Sequence, residues 1–290
     1  LRLIDNPNAG ALTILKNESG MWKLSNTGNT YSGQTQIDAG ALWVEGNSLS
    51  PNSNTRLSGS GVLMTSGTFT RALGTAANQI QWNTNQSGGF AASTDRLVVN
   101  LGGAGATLTW GTNGIGNGTG NLILSSSTSW ADVDFRNGIN LNGANRTITV
   151  NDNGNTGLDY ATISGIISNS TGTAGIVKNG GGTLILGNGN THNGPTSVSN
   201  GTLVLTSIGN NTGTTASSAG ASGGAIQFAG NATLNLFYAG GGETTNRPIN
   251  ITSALTSARV HRLDSSGSGA LVIDNFNNNK TGNFGLLFEL

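Results

Sequence analysis

The chain contains no cysteine. Disulfides and thiolate metal sites are therefore excluded, and burial and hydrogen bonding must hold the fold together. A cysteine-free chain also suits export, because an unwanted disulfide would obstruct threading through a pore. Proline is scarce, 4 in 290 residues, which excludes collagen and proline-rich linkers. Charge is thin: 9% of residues, with Lys+Arg 13 against Asp+Glu 13. Such a chain has no electrostatic footprint for nucleic acid or an anionic membrane. No run approaches ~20 apolar residues, so no segment crosses a bilayer as a helix. The sequence does not open on methionine, and no signal-peptide pattern is expected within it. It opens mid-pattern at LRLID and stops mid-pattern at GLLFEL, as expected of a piece of something longer.

Helix signals are also missing. No window keeps an i, i+3, i+4, i+7 apolar face, and the 47 glycines interrupt each candidate. What is present is a series of short alternating runs: ALTIL (11–15), ALWVE (41–45), RLVVNL (96–101), ATLTW (106–110), NLILS (121–125), RTITV (146–150), AIQFA (225–229), ATLNLF (232–237) and GALVID (269–274). Gly, Asn and Ser clusters separate them, the pattern of strands between turns. Asn-Gly pairs at 137–138, 142–143, 153–154, 179–180, 188–189, 193–194 and 200–201 are expected to take positive φ. The alternation gives a phase. Leu203 and Leu205 share one face of GTLVL, and Leu184 and Leu186 share one face of GTLIL. Two large side chains per strand are too few for a core. They suffice if strands stack in register, each coil covering the next.

Internal repetition supports stacking. Residues 16–44 align with 178–205: Lys16 with Lys178, Trp22 and Leu24 with Leu184 and Leu186, Asn29 with Asn190, Gly33 with Gly194, Thr35 with Thr196, and Leu42 and Val44 with Leu203 and Leu205. Tyr31 aligns with His192. GALTI (10–14) returns as GALVI (269–273), so a further unit is expected to begin near residue 261. No linker is visible, and residues 1–290 read as one domain.

The pattern G-x-L-x-L, a spacer, N-T-Y-x-G-x-T and G-T-L-x-L resembles the autotransporter-associated β-strand repeat, also called the passenger-associated transport repeat. The resemblance covers 16–44 and 178–205, with 161–177 similar to its usual lead-in. His192 in place of the turn aromatic, and the bulky Met21-Trp22, depart from the pattern. The resemblance implies an all-β, right-handed parallel β-helix (β-solenoid) of a secreted or cell-surface bacterial protein. Parallel crossovers are right-handed in nearly all cases. Coils of roughly 20–25 residues are expected.

Parallel β-helices also carry polysaccharide lyases and glycoside hydrolases, so an acidic cluster is a candidate site. In WADVDFR, Trp130, Asp132, Asp134 and Arg136 share one strand face, with the carboxylates about 7 Å apart. They form a candidate sugar or cation site, set against a plain solvated face; glycosidase carboxylates usually come from separate segments. Trp43 points outward by phase, and beside Tyr31 it is a candidate for sugar stacking, set against a groove under a loop. NDNGNTGLD (151–159) lacks the acidic density of a calcium loop. His192 and His261 have no ligand or catalytic partner at motif spacing. No metal, cofactor or catalytic residue is expected. The expected function is structural or adhesive: a stalk or filament-forming module, with a second copy stacked end to end or laterally, or a surface polysaccharide, as partner. A polysaccharide-acting enzyme is the alternative.

Overall fold

The computed structural model describes residues 2–111, 113–212, 215–221 and 223–281, and the backbone of Leu286–Glu289. Every regular element among them is a strand. Most strands hold three to five residues, because a Gly or Asn corner follows each apolar burst. The chain divides into two compact units, residues 1–137 with 151–161, and 138–150 with 162–290.

In the first unit, Ile14–Lys16, Thr35–Ile37, Thr55–Leu57 and Ile80–Trp82 stack as one parallel sheet. Met21–Leu24, Ala41–Val44, Val62–Phe69 and Gly88–Val99 stack beside them. The long strand Gly88–Val99 carries Leu122–Leu124 on its first part and Val133–Phe135 on its last. In the second unit, Ile176–Asn179, Thr196–Val198, Ile226–Phe228, Ile249–Ile251 and Phe276–Asn278 form one parallel ladder. Thr183–Leu186, Gly201–Leu205, Leu234–Tyr238, Arg259–Ser265 and Leu286–Glu289 form the other. Successive strands of one coil feed different sheets, and each pairs with its counterpart in the next coil. That is a parallel β-helix, as the alternating runs and the repeat led one to expect.

The core follows the phase read from the sequence. Leu184, Leu203 and Leu236 are register partners and fully buried, as are Leu42, Leu63 and Phe90. Each such side chain contributes about 1.5–3 kcal/mol of burial, so a coil is marginal alone and firm in a stack. Trp22 departs from the expectation: it is 50% exposed, because Met21–Leu24 pairs only with Ala41–Val44 among the described strands.

Coil length also departs from it. Nineteen residues separate Thr183 from its partner Thr202, but thirty-six separate Leu97 from Val133. Stacking fixes strand register and leaves corner length free. Of the Asn-Gly pairs, 142–143, 179–180 and 200–201 use positive φ at glycine. Gly201 needs it twice over: φ is 72°, and a Cβ there would lie 2.4 Å from the Gly180 carbonyl oxygen. Gly194 is required differently. Its φ is not positive, but a Cβ would meet the Ala174 carbonyl carbon at 2.4 Å. Glycine there lets one coil approach the last.

Candidate functional site

The polar residues shared by the two repeats converge on corners. Asn29 Oδ1 accepts from the Leu3 N–H at 2.8 Å, and its Nδ2 donates to the Ser48 carbonyl at 2.8 Å. Asn190 accepts from the Ile167 N–H at 2.8 Å and donates to the Ser218 carbonyl at 2.9 Å. Each Asn thereby joins three successive coils. Two residues on, the Tyr31 hydroxyl meets Thr35 Oγ1 at 2.8 Å, and His192 Nε2 meets Thr196 Oγ1 at 2.9 Å. The histidine occupies the place and makes the contact of the tyrosine. Tyr31 is 0% exposed, which corrects its expected place on the surface beside Trp43. Its hydroxyl turns inward because a buried threonine and Ser53 continue the hydrogen-bond chain there.

Lys16 and Lys178 are equivalent as well, and both are fully buried. Lys178 lies in the inner row with Val198 and Phe228. Its ammonium donates to the carbonyls of Asn179, Gly180 and Asn200 at 2.7–2.9 Å. Lys16 donates to the Glu18 carbonyl and to Ala39 at 2.9 Å. Each lysine thus supplies a donor to carbonyls gathered at a tight corner. Burial lowers Lys178 to about 7 and moves Lys16 in the same direction. The alternation rule places a lysine in neither row; only the repeat alignment of Lys16 with Lys178 marked the position.

The acidic cluster keeps its expected phase. Trp130 is 53% exposed, and Val133 and Phe135 are buried on the opposite face. The carboxylates are already engaged. Arg96, on the preceding coil, reaches Asp132 and Asp134 at 3.3 Å each, and Arg136 reaches Asp134 at 3.1 Å. Asp134 is buried beneath the two arginines. Sequence reasoning missed Arg96, whose place depends on the register of Val98 opposite Asp134. The two carboxylates share the Arg96 guanidinium in one cluster on one strand, unlike glycosidase carboxylates, which flank the bond from separate segments.

Trp43 is half-buried. The Lys23 ammonium lies 4.0 Å from its ring centroid and also pairs with Glu45 at 3.1 Å. The ring packs on a second apolar cluster, Ala41, Val62, Met64, Ala91 and Ile123. These residues share the face opposite to Leu42, Leu63 and Phe90, so both faces of this sheet are covered here. In the 151–159 segment, Asp159 accepts from the Asn153 N–H at 2.6 Å, and Asn153 Nδ2 donates to the Ser129 carbonyl at 2.7 Å. The loop's oxygens thus close a corner. Burial raises the Asp159 carboxyl, against the pull of that hydrogen bond. His261 stacks on Phe228 at 5.6 Å between centroids and meets Ser253 Oγ at 2.8 Å. No group of three or more metal-ligating side chains occurs among the described residues.

The family described as the passenger-associated transport repeat matches residues 8–44 and 176–205. The chain therefore carries two copies of that repeat within a parallel β-helix. The matched segments contain the two buried lysines and the Asn29 and Asn190 bridges. No curated protein and no solved structure matches the chain.

Proposed function

We propose that this chain, bearing two passenger-associated transport repeats, is a structural and adhesive module of a secreted or cell-surface bacterial protein and has no enzymatic activity. One observation carries the reading. Among the polar side chains that the repeat supplies, Asn29, Asn190, Lys16 and Lys178 bond neighbouring coils, Tyr31 and His192 bond Thr35 and Thr196, which themselves bond the next coil, and all of them are buried away from a substrate. The most acidic cluster is neutralised by Arg96 and Arg136. A stacked coil instead offers outer faces whose residues vary freely without disturbing the core. Self-association through stacked coils belongs to the same reading, with a second copy as partner.

The test has two parts. Beads coated with the purified chain are expected to be retained on polysaccharide-coated surfaces above uncoated beads. The same preparation is expected to release no new sugar ends from uronic-acid or neutral polysaccharides. Cleavage that disappears in Asp132→Asn or Asp134→Asn would replace this reading with the lyase or hydrolase one.

A further inference from the structure

The first unit contains a cleft of about 1070 Å³. Its origin is a mismatch in strand length. Ala41–Val44 ends where Val62–Phe69 continues, and Gly67–Phe69 pairs with Leu97–Val99 on one side only. The register shifts between Thr65 and Gly67, a bulge that re-aims the side chains around it. Residues of the corners at 27–30 and 46–51 and of the 70–79 excursion complete the lining. Arg71 ties that excursion down by donating to the carbonyls of Ser53, Leu49 and Ser50 at 2.9–3.1 Å.

The lining has a definite chemistry. Arg2 and Arg71 are its charged residues, and no Asp or Glu lines it. The carboxylates nearest in sequence have other partners: Glu45 pairs with Lys23 at 3.1 Å, and Asp5 accepts from the Leu12 and Ser32 N–H groups at 2.9 Å each. In a chain with equal numbers of acidic and basic residues, a concavity of one sign selects its ligand's charge. The rest of the wall mixes hydroxyls and amides, including Thr27, Asn47, Thr68 and Gln79, with aliphatic residues such as Val44 and Leu49 and one half-buried aromatic, Phe69, whose ring also packs against Phe90 at 5.6 Å. Hydroxyls and amides match a ligand rich in hydroxyls, an aromatic face matches the C–H face of a pyranose, and guanidinium matches carboxylate or sulfate.

We propose that this cleft binds an anionic oligosaccharide. The proposal rests on the adhesive reading and names its site and the chemical class of its ligand. Arg2, whose Nη2 bonds Thr30 Oγ1 at 3.1 Å, supplies the adjustable charge, and Thr68 and Phe69 line the cleft on the overhanging strand.

The experiment is calorimetric titration of the whole chain with three probes: a galacturonate tetramer, the same tetramer carboxyl-reduced to galactose, and a sulfated galactose tetramer. Binding of either anionic probe, weakened by added salt and at least tenfold tighter than the reduced probe, is expected. Which anionic probe binds tells a uronate ligand from a sulfated one. Arg2→Ala is expected to weaken binding about tenfold by removing one charge-assisted contact. Ser66→Trp, at an exposed position on the bulge, is expected to abolish it. Trp130→Ala and Asp132→Asn, away from the cleft, are expected to leave it unchanged. Circular dichroism of each variant confirms the fold. Equal affinity for the reduced probe, no binding of any probe, or unchanged affinity in Ser66→Trp would overturn the proposal. Bead retention is measured separately, so the cleft can fail while the adhesive reading stands.

Discussion

Asn29 and Asn190 make the same pair of bonds at equivalent corners, each accepting an N–H from the coil before and donating to a carbonyl of the coil after. Both side chains are buried, so replacement leaves two backbone groups without partners or water. Asn190→Ala is expected to destabilise its unit by about 2–6 kcal/mol, with each orphaned group costing about 1–3. Stacked coils need not melt as one, so hydrogen exchange is the better probe. The Ile167 amide is expected to lose protection before amides several coils away.

His192 gives the second unit a sensitivity to acid. Burial, with Arg247 adding to it, lowers the imidazole to about 4, against a backbone contact with Ile167 that raises it. The unfolded chain therefore binds more protons between about pH 6.5 and 4, and stability falls across that window as pH falls. The loss approaches about 3 kcal/mol. Denaturation midpoints for the native chain and for His192→Gln are expected to diverge below pH 6, the variant being less pH-dependent.

Lys178 predicts the opposite edge. With its folded pKa lowered to about 7 by burial, the unfolded chain holds the extra proton between about pH 7 and 10.5. Stability is expected to rise through that range by a few kcal/mol, on the order of the shift itself. Lys178→Met is expected to flatten the rise. It also leaves the carbonyls of Asn179, Gly180 and Asn200 without their donor.

Arg247 holds down the excursion between Ser207 and Ala225. Its fully buried guanidinium donates to the carbonyls of Gly209, Ala219, Gly220, Ala221 and Gly224. Glu243 grips the same excursion by accepting from the Ile208 and Gly209 N–H groups at 2.5 and 2.8 Å. Arg247→Met is expected to open this segment to limited proteolysis well before the Thr183–Leu186 ladder is cut, and to cost several kcal/mol.

The coil was legible where a residue's role depends on its neighbours in sequence. Leu184, Leu186, Leu203 and Leu205 alternate with polar or smaller residues, and that alternation alone places them inside. Roles set by register were not legible. Arg96 meets Asp134 only because Val98 stacks on it, and the length of the intervening corners, absent from any local pattern, decides that pairing. Tyr31 misled for a related reason: a turn aromatic in a polar segment reads as exposed until Thr35 and Ser53 are seen to take its hydroxyl inward. Trp43 was placed correctly by phase, but the outward face of its sheet proved to carry an apolar cluster of its own. The cleft was invisible, since it arises from two strands ending at different points.

The central claim is that the repeats stack as parallel coils in a fixed register, and the cysteine-free chain makes it directly measurable. Ile185 lies opposite Val204 in adjacent coils, at the close spacing of neighbouring strands, within reach of a disulfide. The double variant Ile185→Cys/Val204→Cys is expected to oxidise readily and within one molecule, while Ile185→Cys/Thr202→Cys, two residues out of register, stays reduced. Equal oxidation of both pairs, or of the second alone, would contradict the stacking on which every corner described above depends.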